Sequence, residues 1–160
     1  DRMAVLSAMM EQSIIPVFYD PDTEVCRNVI QACANGGARC VEFTNRGDFA
    51  AHVFLEVTRH LATADPTVIM GVGSIVDAPT AAIYIANGAR FVVGPLLNAE
   101  VARLCNRRGI PYSPGCGSAT EIGNTSPRPS RHSSREEANA ASASPSLLLT
   151  RPAFPTNAHE

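Results

Sequence analysis

Gly37-Ala38-Arg39-Cys40-Val41-Glu42-Phe43-Thr44-Asn45-Arg46 is the stretch of this 160-residue chain that decides its fold. A glycine pair at 36–37 closes the preceding helical pattern, because glycine takes the left-handed conformation after a helix at little cost. Residues 39–44 then form a short apolar, strand-like run interrupted by one carboxylate, Glu42. Gly88-Ala89-Arg90-Phe91-Val92 echoes residues 37–41 further along the chain. Both copies sit at a helix-to-strand joint. A repeat of that joint points to stacked βα units, and so to an α/β protein with a parallel sheet.

Working outward, residues 14–19 (Ile-Ile-Pro-Val-Phe-Tyr) read as a first strand. Asp20-Pro21-Asp22 opens a helix carrying Val25, Val29, Ile30 and Cys33 on one stripe. After the second strand comes a helix with Phe49, Val53, Phe54, Val57 and Leu61 on one stripe. Residues 67–71 read as the third strand and 91–94 as the fourth. Asp77 caps the helix between them, with Pro79 in its first turn and Asn87-Gly88 at its end. Asn98 caps a helix with Val101, Leu104 and Cys105, and residues 109–113 read as the fifth strand. Ser118 and Glu121 form a capping-box pattern that opens one more helix, expected to stop at Gly123. Residues 1–123 thus hold about five βα units, where a closed (β/α)8 barrel needs eight. Residues 124–160 are rich in Ser, Pro, Ala and Arg without a helical or strand period. They read as a disordered tail, and better as an out-of-frame product than as a natural linker, since a helix has just been opened and is abandoned.

Composition narrows the function classes. A net charge of −2 gives no electrostatic case for nucleic acid or an anionic membrane. No apolar run reaches the roughly 20 residues of a membrane helix. The cysteines, Cys26, Cys33, Cys40, Cys105 and Cys116, are scattered and odd in number, as expected of reduced thiols in a cytoplasmic protein. Cys26 and Cys33 lie roughly 10 Å apart by helix rise and cannot share an ion. His52 and His60 are read as surface or rim residues, and no metal site is expected. The 13 cationic side chains are all arginine, and the 160 residues contain no lysine. Arginine stays protonated at usable pH, so no side chain here supplies a neutral primary amine.

Polar residues at the carboxyl ends of the strands are the candidates for chemistry. Glu42 stands out, because a carboxylate in a buried strand is costly unless paired or protonated. Glu42 and Thr44 share one face, with Arg46 at its edge. Such a carboxylate can shuttle protons while the guanidinium grips an anion; a purely structural Glu–Arg pair is the alternative. Gly71-Val72-Gly73-Ser74 lacks the third glycine of a dinucleotide fingerprint. It reads either as a loop presenting its backbone and the Ser74 hydroxyl to a substrate or as a plain tight turn. Pro114-Gly115-Cys116-Gly117-Ser118 is not a nucleophile elbow.

Val41-Glu42-Phe43-Thr44-Asn45-Arg46 resembles the second-strand signature of the 2-keto-3-deoxy-6-phosphogluconate (KDPG) and 4-hydroxy-2-oxoglutarate (KHG) aldolases. Gly71-Val72-Gly73-Ser74, Val93-Gly94-Pro95 and residues 110–121 resemble the ends of that family's third, fourth and fifth strands. The resemblance covers residues 5–123 and implies a TIM-barrel, carbon–carbon lyase. It implies a cofactor-free Schiff-base mechanism on a small keto acid, in a cytoplasmic homotrimer. By resemblance Glu42 is the proton shuttle, Arg46 and Ser74 hold the pyruvyl carboxylate, and Pro95 lines the pocket. The family's Schiff-base lysine and phosphate loops follow the fifth strand, where this sequence has its Ser/Pro/Arg tail. The expectation is a chain without aldolase activity as it stands, marginally folded, oligomeric or aggregated. A lysine-free anion-binding or assembly module is the second reading. A metal-dependent lyase using Glu42 is a weak third.

Overall fold

The computed structural model describes residues 1–125. Five strands, β1 (Val17–Phe18), β2 (Cys40–Thr44), β3 (Ile69–Gly73), β4 (Val92–Gly94) and β5 (Tyr112–Pro114), form one parallel sheet in sequential order. Helices α2 (Thr23–Asn35), α3 (Ala50–Ala64), α4 (Ala78–Ala86) and α5 (Ala99–Arg108) make the crossovers. This is the repeating unit of a TIM barrel, with β1 and β5 as the edges of the sheet.

The caps read from the sequence are in place. Asp22, Asp77 and Asn98 each accept backbone N–H bonds from the first turn of α2, α4 and α5. Gly37 and Gly88 both have positive φ, at 93° and 102°, so the repeated joint is a conformational repeat as well as a sequence one. The Ser118 hydroxyl accepts from Glu121 N at 3.2 Å, while the Glu121 carboxylate accepts from Gly117 N at 2.5 Å. The helix they open, α6 (Ala119–Thr125), passes Gly123 rather than stopping there.

Strand limits shift from expectation. β1 is confined to Val17–Phe18, and β3 runs on to Gly73 instead of ending at Gly71. β5 starts at Tyr112, not Gly109, because Gly109 is the left-handed C-cap of α5 (φ 65°). A helix not expected from the sequence, α1 (Arg2–Gln12), precedes β1. The Ser/Pro/Ala/Arg-rich tail, residues 124–160, lies almost wholly outside the described residues.

Side-chain parity divides the sheet. Val41, Phe43, Val72 and Val92 are fully buried against the helices, with Ile30, Phe54, Val57, Tyr84 and Val101. Each such side chain contributes about 1.5–3 kcal/mol by leaving water. Phe43, Phe54 and Tyr84 extend this core as a chain of edge-on and tilted ring contacts at 5.9 and 5.2 Å. On the other face Cys40 and Phe91 pack with Val5 and Ala8 of α1, which covers the strand starts. Gln12, the last residue of α1, clasps β2: its carbonyl oxygen accepts from Arg39 N (2.6 Å) and Cys40 N (2.7 Å), and its amide donates to Cys40 O (2.9 Å).

Candidate active site

Register places Glu42 opposite Gly71 and Thr44 opposite Gly73, all on the inner face. The G-x-G of β3 is therefore no turn or loop, as the sequence alone allowed. Both glycines lie within the strand, and each clears space for a neighbour. A Cβ on Gly71 would overlap the Phe91 ring, and one on Gly73 would overlap the Glu42 carboxylate. Glu42 thus lies flat across β3 at the carboxyl end of the sheet, 9% exposed. Thr44, beside it, is buried, and its hydroxyl reaches toward Phe18 O at 3.5 Å.

Burial pushes the Glu42 pKa up from the ordinary glutamate value; the Arg46 charge opposes this and is outweighed. Among the described residues no side chain hydrogen-bonds the carboxylate, so the structural Glu–Arg pair is not the arrangement found. Arg46 instead donates from Nε to Ser74 Oγ at 3.2 Å. The structure therefore gathers Glu42, Arg46 and Ser74 at the ends of β2 and β3. Ser74 has φ 61°, uncommon for a residue with a Cβ, and it turns the chain sharply as β3 ends. Pro95 follows β4 at the same end of the sheet, exposed, with its carbonyl packed against Gly115, and makes no bond to the other three.

Several residues that hold this site went unread in the sequence. Asn45 N donates to Gly73 O at 2.9 Å, and the buried Tyr84 hydroxyl of α4 donates to Asn45 Oδ1 at 2.8 Å. Burial raises the Tyr84 pKa to about 12, so it remains a donor. The Tyr19 hydroxyl fills the space a Cβ on Gly47 would need. The loop carrying Arg46 is thus held from β3, from α4 and from the end of β1. On the β4 side, Tyr112 donates to Leu96 O (2.9 Å) and accepts from Asn98 N (3.2 Å), while the Asn98 amide reaches Val76 O (3.0 Å). No pattern of spacing announces contacts made across such distances in sequence.

The remaining candidates stay apart. His52 and His60 are exposed on α3. Burial raises the Cys26 and Cys105 thiols to about 11 and about 12, which keeps them protonated and poor nucleophiles. Among the described residues no group of His, Cys, Asp or Glu has the arrangement of a metal site, and no helix is long and apolar enough to cross a membrane.

The family model for KDPG and KHG aldolase matches residues 5–126. The chain belongs to the KDPG and KHG aldolase family. A 2-dehydro-3-deoxy-phosphogluconate aldolase of Treponema pallidum is 32% identical over 120 residues, covering 75% of this chain and 55% of the relative. The Pseudomonas aeruginosa aldolase of the same name is 34% identical over 113 residues, covering 70% of this chain and 49% of the relative. The chain spans about half the length of the curated relatives it matches. The crystal structure of the KDPG aldolase of Legionella pneumophila, which holds pyruvate as a covalent carbinolamine, superposes with a TM-score of 0.66. That match has 24% identity, covers 78% of this chain and 57% of the other, and speaks to the fold. The KDPG/KHG aldolase barrel thus supplies the frame in which Glu42, Arg46 and Ser74 converge.

Proposed function

We propose that Glu42, Arg46 and Ser74 form the carboxylate-binding and proton-transfer part of a Schiff-base KDPG or KHG aldolase site, and that the 160-residue chain does not itself cleave the substrate. The reading rests on one observation: a buried carboxylate, its pKa raised by burial, beside an Arg–Ser pair, in a sequence of 160 residues without a lysine.

In the complete reaction an amine attacks the C2 ketone of 2-keto-3-deoxy-6-phosphogluconate or 4-hydroxy-2-oxoglutarate. Loss of water from the adduct gives an imine that accepts the electron pair of the breaking C3–C4 bond. The products are pyruvate and an aldehyde, glyceraldehyde 3-phosphate or glyoxylate. Arg46 suits the keto-acid carboxylate, since a guanidinium pairs with it through two parallel bonds and Ser74 adds a hydroxyl donor. Glu42, with its raised pKa, can hold and deliver the proton that the C4 hydroxyl loses and C3 gains. Pro95 would wall the pocket on the β4 side. The amine is the part this sequence lacks. A small keto acid as the ligand, a homotrimeric assembly and a cytoplasmic location belong to the same proposal, supported by the family and by the scattered cysteines.

The test is reductive trapping. The 160-residue chain is incubated with pyruvate and borohydride and then digested for peptide mapping. The expected result is no pyruvyl adduct on any side chain. A side-chain adduct, or release of pyruvate from the phosphorylated keto acid at an enzyme-like rate, would overturn the proposal. The second reading, an anion-binding module, is favoured by the bond from Arg46 to Ser74, and saturable pyruvate binding without trapping is what it shares with the first.

A further inference from the structure

We propose a second anion site at the opposite pole of the sheet, built on Arg59, Arg90 and Arg108, for a small multivalent ligand of the phosphate class. Two adjoining hollows, of about 500 and 590 Å³, share Gly88 and Arg90. Arg59 lines the first above an apolar floor that includes Leu61, Val68 and Met70. Arg108 lines the second. Among the described residues Arg59, Arg90 and Arg108 form no ion pair. The one carboxylate lining either hollow, Asp1, is engaged in capping α1 through Met3 N at 2.9 Å. Arg2, also in the second hollow, donates to Asn106 Oδ1 at 3.2 Å.

The backbone that bears the central cation is held in place. Arg90 N donates to Met70 O at 2.8 Å, Ala89 N donates to Tyr84 O at 2.9 Å, and Gly88 turns the chain with φ 102°. Arg108 lies in the last turn of α5, where the helix dipole alone favours a cation. Arg59 and Arg90 have no such reason: α3 carries no basic residue in its last turn, and Arg90 lies between α4 and β4. Two arginines lining one hollow, with one of them shared by the next, suit a diphosphate better than a single charge, because each phosphate can take a forked pair of donors. The repeated joint supplies an internal control. Arg39 occupies the position in the first copy that Arg90 occupies in the second, and it lines neither hollow.

Calorimetric titration of sodium pyrophosphate into the 160-residue chain, at ionic strength matched with chloride, tests this. We expect saturable binding that Arg90→Glu weakens by about tenfold or more and Arg59→Glu by several-fold. Arg39→Glu should change it by less than about twofold. Arg90→Gln provides the same comparison should the charge reversal impair folding, which thermal melts will show. Unchanged affinity in both Arg90 variants would overturn the site. So would equal losses in Arg39→Glu and Arg90→Glu, which would reduce the effect to general charge, or heats no larger than those of chloride.

Discussion

Val41 and Phe43 point one way from β2, and Glu42 and Thr44 point the other. The first pair is sealed among aliphatic and aromatic side chains of α2, α3 and α4. The second faces an inner surface where Val17 of β1 is 56% exposed and two glycines of β3 take the place of side chains. One strand therefore serves two purposes by alternation alone: Val41 and Phe43 stabilise the fold, and Glu42 places a costly carboxylate on the opposite face. The difference teaches that the buried charge lies on the face with the least packing around it, and that the packed face meets its cost.

Truncating the packed face should have the largest effect. Phe43→Ala removes a fully buried ring that touches Phe18, Tyr19 and Phe54, and should cost about 3–5 kcal/mol in urea unfolding. A loss below about 1 kcal/mol would mean that the sheet–helix layer is not the stabilising one.

Gly73→Ala attacks the division from the inner side. Its methyl overlaps the Glu42 carboxylate, so we expect a loss of about 1–3 kcal/mol. Most of that loss should be recovered in the Gly73→Ala/Glu42→Ala double variant, where the clash is gone. Additive losses in the double variant would show that Gly73 serves the backbone and not Glu42.

Glu42→Gln should stabilise the protein near neutral pH by about 1 kcal/mol, since a buried, unbonded carboxylate is replaced by a neutral amide. The pH profile gives the sign independently. Folding raises the Glu42 pKa, so the folded state holds this proton more tightly than the unfolded chain does. Its contribution is fully favourable below the ordinary glutamate range. It is lost as pH rises through that range to the raised native value, and is constant above. Glu42→Gln should flatten that part of the unfolding profile; an unchanged slope contradicts the assignment. An effect of similar size, a loss of about 1 kcal/mol, is expected for Tyr84→Phe, which removes the bond to Asn45 and keeps the ring. Its pyruvate affinity should fall as well, because the loop bearing Arg46 loses one of its supports.

How far the sequence reveals this molecule follows from which interactions are local. The caps Asp22, Asp77 and Asn98, the repeated glycine joint and most of the stripes of α2, α3 and α5 are short-range and legible, but Val25 and Phe49, read as stripe members, are 41% and 83% exposed. Helix α1 lacks a clean apolar stripe: only Val5 and Ala8 of its residues are buried, and exposed Met3 and Met10 blur the pattern. Helix α3 is N-capped by Phe49, which is left-handed, makes no side-chain cap bond and lies off the buried face, so only the stripe of Val53, Phe54, Val57 and Leu61 reveals it. Glu42 is conspicuous as a charge inside an apolar run. The reach of Arg46 to Ser74 spans 28 residues and that of Tyr84 to Asn45 spans 39, distances that propensity and period do not encode. The glycines of β3 were visible, but their purpose depends on strand register, and so on which neighbour lies opposite.

Backbone amide shifts during a pyruvate titration of the 160-residue chain test the central claim most directly. The account predicts saturable shifts at Arg46, Gly73 and Ser74, abolished in Arg46→Ala, with Val41, Phe43 and the strand-start residues Arg39 and Arg90 unmoved. Silence at Ser74, or shifts centred on Arg90 instead, would contradict it.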